Sequence, residues 1–175
     1  RDPVEERLRV LREAASRGFE VLEGGGSALD AVVEAVVVME DSGLLNAGVG
    51  SALTFDGVAE LDAGVMSGDG LLGAVAAVRR VKNPVVLARR VAELTDHVLL
   101  VGEGAERLAE ALGLLVPEGV LVTPEKLRRL EELKARWRRG EDFGWLTRLR
   151  RLVEEYPGLF GTVGAAAVDR AGGVA

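Results

Sequence analysis

The sequence predicts an α/β fold, and three observations carry that prediction. Pro3 to Leu22 and Ala28 to about Glu40 repeat or mass apolar residues in the way that amphipathic and core helices do. Between residues 51 and 101, short runs of small and β-branched residues alternate with turn dipeptides and with one further helical stretch. A chain of 175 residues with 48% hydrophobic content also suffices for one domain with a sizeable core.

In order, the first helix carries Leu8, Leu11, Ala15, Phe19 and Leu22 at helical spacing, with Arg and Glu between them. Gly24-Gly25-Gly26 ends it; without a following Lys-Ser/Thr, that run is a helix stop and not a phosphate cradle. Ser27 stands three residues before Asp30, the pattern of a capped start. The helix from Ala28 to Glu40 is apolar nearly all round and is therefore expected in the core. Glu40 to Gly50 reads as a tight loop whose carbonyls turn inward, suited to a hard cation or simply to a compact Ω-type loop.

Ser51–Phe55 and Val58–Val65 read as two strands joined by Asp56-Gly57, a strong hairpin signal. Glu60 and Asp62 share a face of the second run and are expected to be solvated, not an acid/base pair. Gly68-Asp69-Gly70 makes a turn, and Leu72 to Val81 a further strand. Asn83-Pro84 starts a helix to about Glu93. His97 to Val101 is expected as a short buried strand before a helix from Ala105 to Leu112, and His97, the one histidine, reads as structural.

From about residue 124 to 158 the character changes to Arg- and Lys-rich sequence with an apolar stripe of Leu127, Leu130, Leu133 and Trp137. Such a helix can bind RNA or a membrane surface, but its acids dilute the charge, and a charged connector is the preferred reading. The stretch Phe160 to Asp169 then turns to small and β-branched residues and reads as a buried strand. Thr162 is either its first residue or a latent nucleophile, whose freed α-amine would deprotonate its own hydroxyl. Gly161 suits a strained junction. The local sequence leaves both readings open.

Composition narrows the classes. A net charge of −6 argues against nucleic acid or an anionic membrane as partner. No cysteine means no disulfide framework, thiolate nucleophile or Cys-ligated metal. No apolar run reaches membrane-spanning length and no leader pattern stands at Arg1, so a soluble, cytoplasmic protein is expected. The absence of Gln and the two Asn fit a thermophile bias.

Joined in order, several motifs resemble the plant-type asparaginase/isoaspartyl aminopeptidase family. They are Gly26-Ser27-Ala28-Leu29-Asp30-Ala31, Asn46-Ala47-Gly48-Val49-Gly50-Ser51-Ala52-Leu53-Thr54 and Glu60-Leu61-Asp62-Ala63-Gly64-Val65-Met66. Lys82-Asn83-Pro84, His97 to Ala105 and the junction Gly161-Thr162-Val163-Gly164 complete the set. Ser67 and Gly43 depart from the pattern, which commonly has an acid and a Pro there. The resemblance implies an N-terminal-nucleophile hydrolase with an αββα four-layer sandwich, made as a precursor that autocleaves between Gly161 and Thr162. Residues 1–161 would be the α-subunit part, with the basic connector at about 124–158, and 162–175 the start of the β-subunit part. Further family segments would precede Arg1 and follow Ala175. The implied activity is threonine-dependent hydrolysis of L-asparagine and/or β-aspartyl (isoaspartyl) dipeptides; the alternative is a non-catalytic relative of the same fold. Thr162 would be nucleophile and base, and Asn46 would line the site. Met39, Glu40, Ser42, Leu45, Ala47 and Val49 would hold a structural sodium ion through backbone carbonyls. A homodimer of αβ units is implied, with no cofactor for the chemistry.

Overall fold

A computed structural model describes residues 3–141 and 163–175. The α/β class holds: the described residues form five α-helices and a three-stranded sheet of order β1-β2-β3. The first helix, α1 (Pro3–Glu23), ends where expected, with Gly25 at φ +86° and the Gly26 N–H returned to Val21 O at 2.9 Å. A four-residue link turns the chain back into α2 (Ala28–Asp41), and the two helices pack along each other. At the start of α2 the capping box is complete: Ser27 Oγ accepts the Asp30 N–H, and Asp30 accepts the Ser27 N–H.

The face of α1 is not the predicted one. Val10, Ala14 and Gly18 are buried, while Leu8, Leu11 and Phe19 are exposed. Small residues let the helices approach closely, since a Cβ at Gly18 would lie 3.1 Å from Ala31 O. Periodicity finds a stripe, but which stripe is buried depends on the shape of the partner.

The strands β1 (Leu61–Met66) and β2 (Leu72–Val78) pair antiparallel across the Ser67–Gly70 turn. Then α3 (Pro84–Leu94) crosses over to β3 (Leu99–Val101), which lies parallel to β2. At Gly73 the sheet meets α3 so closely that a Cβ would fall 2.6 Å from Ala92 Cβ. The main core lies there, with Val75, Val78, Leu87, Val91 and Leu121 wholly or almost wholly enclosed. Next, α4 (Gly102–Ala111) packs on β2 through Ala105 and Ala109.

Two strand readings change. Ser51–Phe55 forms no strand: the Asp56-Gly57 turn closes, with Thr54 N–H to Val58 O at 2.8 Å, but β1 pairs with β2 instead. The expected buried strand from His97 is a three-residue strand with Leu99 and Val101 about half exposed. Among the described residues β3 has a neighbour on one edge only, so its side chains are not covered.

The described part of the basic connector is α5 (Pro124–Arg138), capped by Thr123 and with no buried residue. It is docked through Lys134 Nζ over the Phe55 ring at 4.9 Å and Lys126 Nζ to Leu121 O at 2.8 Å. Lys134 pairs with Glu131, and Arg136 and Arg139 pair with Glu141, which shortens the list of cations free for a polyanion. Among the described residues no helix is long and apolar enough to cross a membrane.

The last segment also departs from expectation. Val163 to Ala167 is not in a ladder, and Gly164, Ala165 and Ala166 are exposed. A strand needs neighbours to be buried, and among the described residues this segment bridges only from Val168 to Val174.

Candidate active site

The loop that follows α2 is built by hydrogen bonds and glycines. Ser42 Oγ donates to Met39 O at 2.8 Å and accepts the Leu44 N–H at 3.2 Å, so the helix end folds straight into the loop. Ala47 N–H reaches Leu45 O at 2.9 Å, and Gly48–Gly50 makes one 3-10 turn that returns the Ser51 N–H to Gly48 O. Gly48 has φ +49°, and a Cβ there would sit 2.5 Å from Glu40 O; a Cβ at Gly50 would collide with Leu45 O. Carbonyls of Glu40 and Leu45 are thus aimed at the two positions where no side chain can stand. Asn46 is half-buried, and its Oδ1 accepts the Ala52 N–H at 2.6 Å, which fixes the side chain across the loop.

Of the six sequence-predicted cation residues, Met39, Glu40 and Ala47 are buried, whereas Ser42, Leu45 and Val49 are partly so. The Leu45 and Ala47 carbonyls each already accept one hydrogen bond, and the Met39 carbonyl accepts two, from the Ser42 N–H and Oγ. The Leu45 and Ala47 carbonyls retain a second lone pair.

Sequence reasoning assigned Glu40 through its backbone; the side chain is as notable. It is 2% exposed, with Oε1 accepting the Val85 N–H at 3.2 Å and Oε2 without a partner among the described residues. Burial pushes its carboxyl up to about 7, offset in part by the Val85 N–H. This bond caps α3, whose own N-cap residue Asn83 makes no side-chain cap. Asn83 instead donates to Asp41 Oδ1 at 2.8 Å, and Lys82 Nζ meets the same oxygen at 2.9 Å. The Lys82-Asn83-Pro84 motif therefore locks the start of α3 to the end of α2.

Glu60 and Asp62 play structural parts. Glu60 pairs with Arg79 at 2.6 Å, and Asp62 Oδ1 accepts the N–H of Ala77, a residue at φ +54° in the bulge of β2. His97 is exposed, and its backbone N–H bonds Thr95 Oγ1.

Gly161 and Thr162 lie outside the described residues. Val163, next in sequence, packs against Val10, Ala14, Ala35 and Met39, the cluster that also receives Leu44 and Leu45. The segment after Thr162 thus starts beside the root of the Asn46 loop. It ends at Asp169, whose Oδ2 accepts the Ala28 N–H at 3.2 Å, at the opposite end of α2. Sequence reasoning gave Asp169 no role; its one signal was an Asp four residues before Gly173, an Asx-type turn pattern.

Comparison with known proteins gives concordant results. The family described as asparaginase (Asparaginase_2) matches residues 1–175. A plant-type L-asparaginase of Pyrococcus horikoshii is 48% identical over 164 residues, 93% of this chain and 52% of that protein. An isoaspartyl peptidase/L-asparaginase of Danio rerio is 45% identical over 176 residues, 100% of this chain and 53% of its own length. One of Mus musculus is 42% identical over 175 residues, with 97% and 50% covered. The chain spans about half the length of the curated relatives it matches.

Proposed function

Because the chain belongs to the asparaginase family, we propose that its protein is a threonine-dependent amidohydrolase acting on L-asparagine and/or β-aspartyl dipeptides. The observation that carries this is the identity of 48% and 45% to proteins named plant-type L-asparaginase and isoaspartyl peptidase/L-asparaginase, over nearly all of the chain. The reading extends to an αββα sandwich, residues 1–161 as α-subunit part and residues 162–175 as the start of the β-subunit part.

Thr162 acts twice in this proposal. In the precursor its hydroxyl attacks the Gly161 carbonyl, the acyl group moves from nitrogen to oxygen, and water cleaves the ester. The amine so freed then serves as base for the same hydroxyl. That hydroxyl attacks the substrate's side-chain amide, the nitrogen leaves as ammonia or as the amine of the dipeptide's second residue, and water releases aspartate from the ester. Supporting this is the seating of Val163 beside the Asn46 loop, which gives Asn46 a polar amide close to the segment that begins at Thr162.

The loop is proposed to bind sodium through the carbonyls of Met39, Glu40, Ser42, Leu45, Ala47 and Val49. Neutral oxygens suit a weakly charged hard cation, and Gly48 and Gly50 let the loop fold closely around Glu40 O and Leu45 O. A homodimer of αβ units, a cytoplasmic setting and heat adaptation belong to the same reading; a chain without cysteine suits a reducing compartment, and the Pyrococcus relatives suit the last.

Intact-mass measurement of the full-length protein tests the central claim. The expected result is two fragments, one beginning Thr-Val-Gly-Ala, with Thr162→Ala uncut and inactive and Thr162→Ser cut and active. A single uncut species that hydrolyses asparagine overturns it.

A further inference from the structure

The capping box satisfies the Ser27 and Asp30 N–H groups from within α2 and leaves the first helical donor, Ala28 N–H, for an outside partner. That partner comes from 141 residues away. Asp169 Oδ2 accepts the Ala28 N–H at 3.2 Å, while Asp169 Oδ1 accepts the N–H groups of Ala171 at 3.0 Å and Gly173 at 2.8 Å. Both oxygens are engaged, one holding the residue's own turn and the other clamping the turn to α2. Gly173 leaves room for this, since a Cβ there would lie 2.6 Å from Asp169 Oδ2. The three N–H groups, that of Ala28 foremost, hold the carboxyl below its usual range, and the helix N-terminus favours its charge.

Val163 and Asp169 are held at opposite ends of α2. From Ala28 to Met39 the helix rises on the order of 16 Å, and six residues of extended chain reach about 20 Å. Val163 packs with Met39 in its cluster near one end, Ala167 packs on the main core, and Asp169 is tied at the other end. A segment of that length, anchored at both ends, has little freedom to slide along the helix.

Resting on the reading of Thr162 as the nucleophile, we propose that Asp169 is a positioning residue for it. By clamping the Ala28 N–H, Asp169 sets the register on α2 of segment 163–169, which follows directly on Thr162 in sequence and begins beside the Asn46 loop. Release of the clamp lets the segment shift along α2, which lowers the rate of the chemistry more than it weakens substrate binding.

Asp169→Asn separates the two jobs of the carboxylate. The single amide oxygen can keep the turn through Ala171 and Gly173, but an NH2 group then faces the Ala28 N–H and the clamp is lost. In full-length protein, autocleavage followed by intact mass and kcat on L-asparagine are both expected to fall at least fivefold, with KM changed less than twofold. Ala28→Pro provides an independent variant, because proline removes the same N–H at the helix position that tolerates it best. Combined with Asp169→Asn it should add nothing further, since both break one bond. Wild-type cleavage and kcat in a folded Asp169→Asn protein, or fully additive losses in the pair, overturn the proposal while Thr162→Ala stays inactive. An active Thr162→Ala protein overturns the nucleophile reading itself, and the positioning role falls with it.

Discussion

At the scale of single residues, the contrast between two glycines separates strain from space. Gly43 has φ +69° with nothing within 4 Å of a Cβ, so Gly43→Ala should cost about 1–2 kcal/mol, the left-handed penalty alone. Gly48 combines φ +49° with Glu40 O at 2.5 Å from the same atom, and Gly48→Ala should cost clearly more, about 3 kcal/mol or above. Urea denaturation of the two variants checks the order; equal losses would mean that the loop yields at Gly48. Glu40 supplies a pH prediction. Its folded pKa of about 7 stands above the 4.5 of an unperturbed Glu, so the folded protein keeps a proton that the unfolded chain releases. The stability linked to that proton is fully present below about 4.5 and is lost as pH rises through 7, by about 3 kcal/mol at most. Glu40→Gln mimics the protonated form and keeps an acceptor for the Val85 N–H. Its Tm should fall less than that of the wild type between pH 5 and 8, and parallel curves would contradict the assignment.

At the scale of elements, what was legible in the sequence was local chemistry. The Ser27–Asp30 box, the Gly24–Gly26 stop, Pro84 at its helix start and the Gly68-Asp69-Gly70 turn all follow from neighbours within four residues, and all formed. Long-range choices were not legible. The Asp56-Gly57 turn closed without a hairpin because the Ala52 N–H is taken by Asn46 and β1 has β2 as partner. The junction at Gly161-Thr162 was readable only as a family motif, whereas the clamp from Asp169 to Ala28 pairs residues 141 apart and no local pattern announces it. The buried face of α1 likewise depended on α2. This last point is testable: Gly18→Val should force the helices apart at Ala31 O and Ala35 Cβ and cost about 1–3 kcal/mol. A thermal melt of Gly18→Val indistinguishable from wild type would mean that α1 and α2 are not closely packed at that point.

At the scale of the whole molecule, the contacts of residues 163–175 determine what cleavage does to the assembly. The proposed cleavage between Gly161 and Thr162 would remove a covalent link but none of the described interactions that hold residues 163–175. Val163 remains in the cluster with Val10, Ala14, Ala35 and Met39, and Ala167 and Ala175 remain on the main core. The Gly68 N–H still meets Val174 O at 2.7 Å, and Asp169 still holds the Ala28 N–H. These contacts reach both α2 and the β1–β2 turn, so separation would expose apolar surface and strand polar groups on two sides at once. Cleaved full-length protein should therefore elute from a sizing column as one species under native conditions and resolve into two chains only in denaturant. The same column run after cleavage of Asp169→Asn should still give one species, because the clamp sets register while the apolar contacts supply most of the association. Wild-type fragments that part in native buffer would show that the described contacts of residues 163–175 do not hold the cleaved chains together.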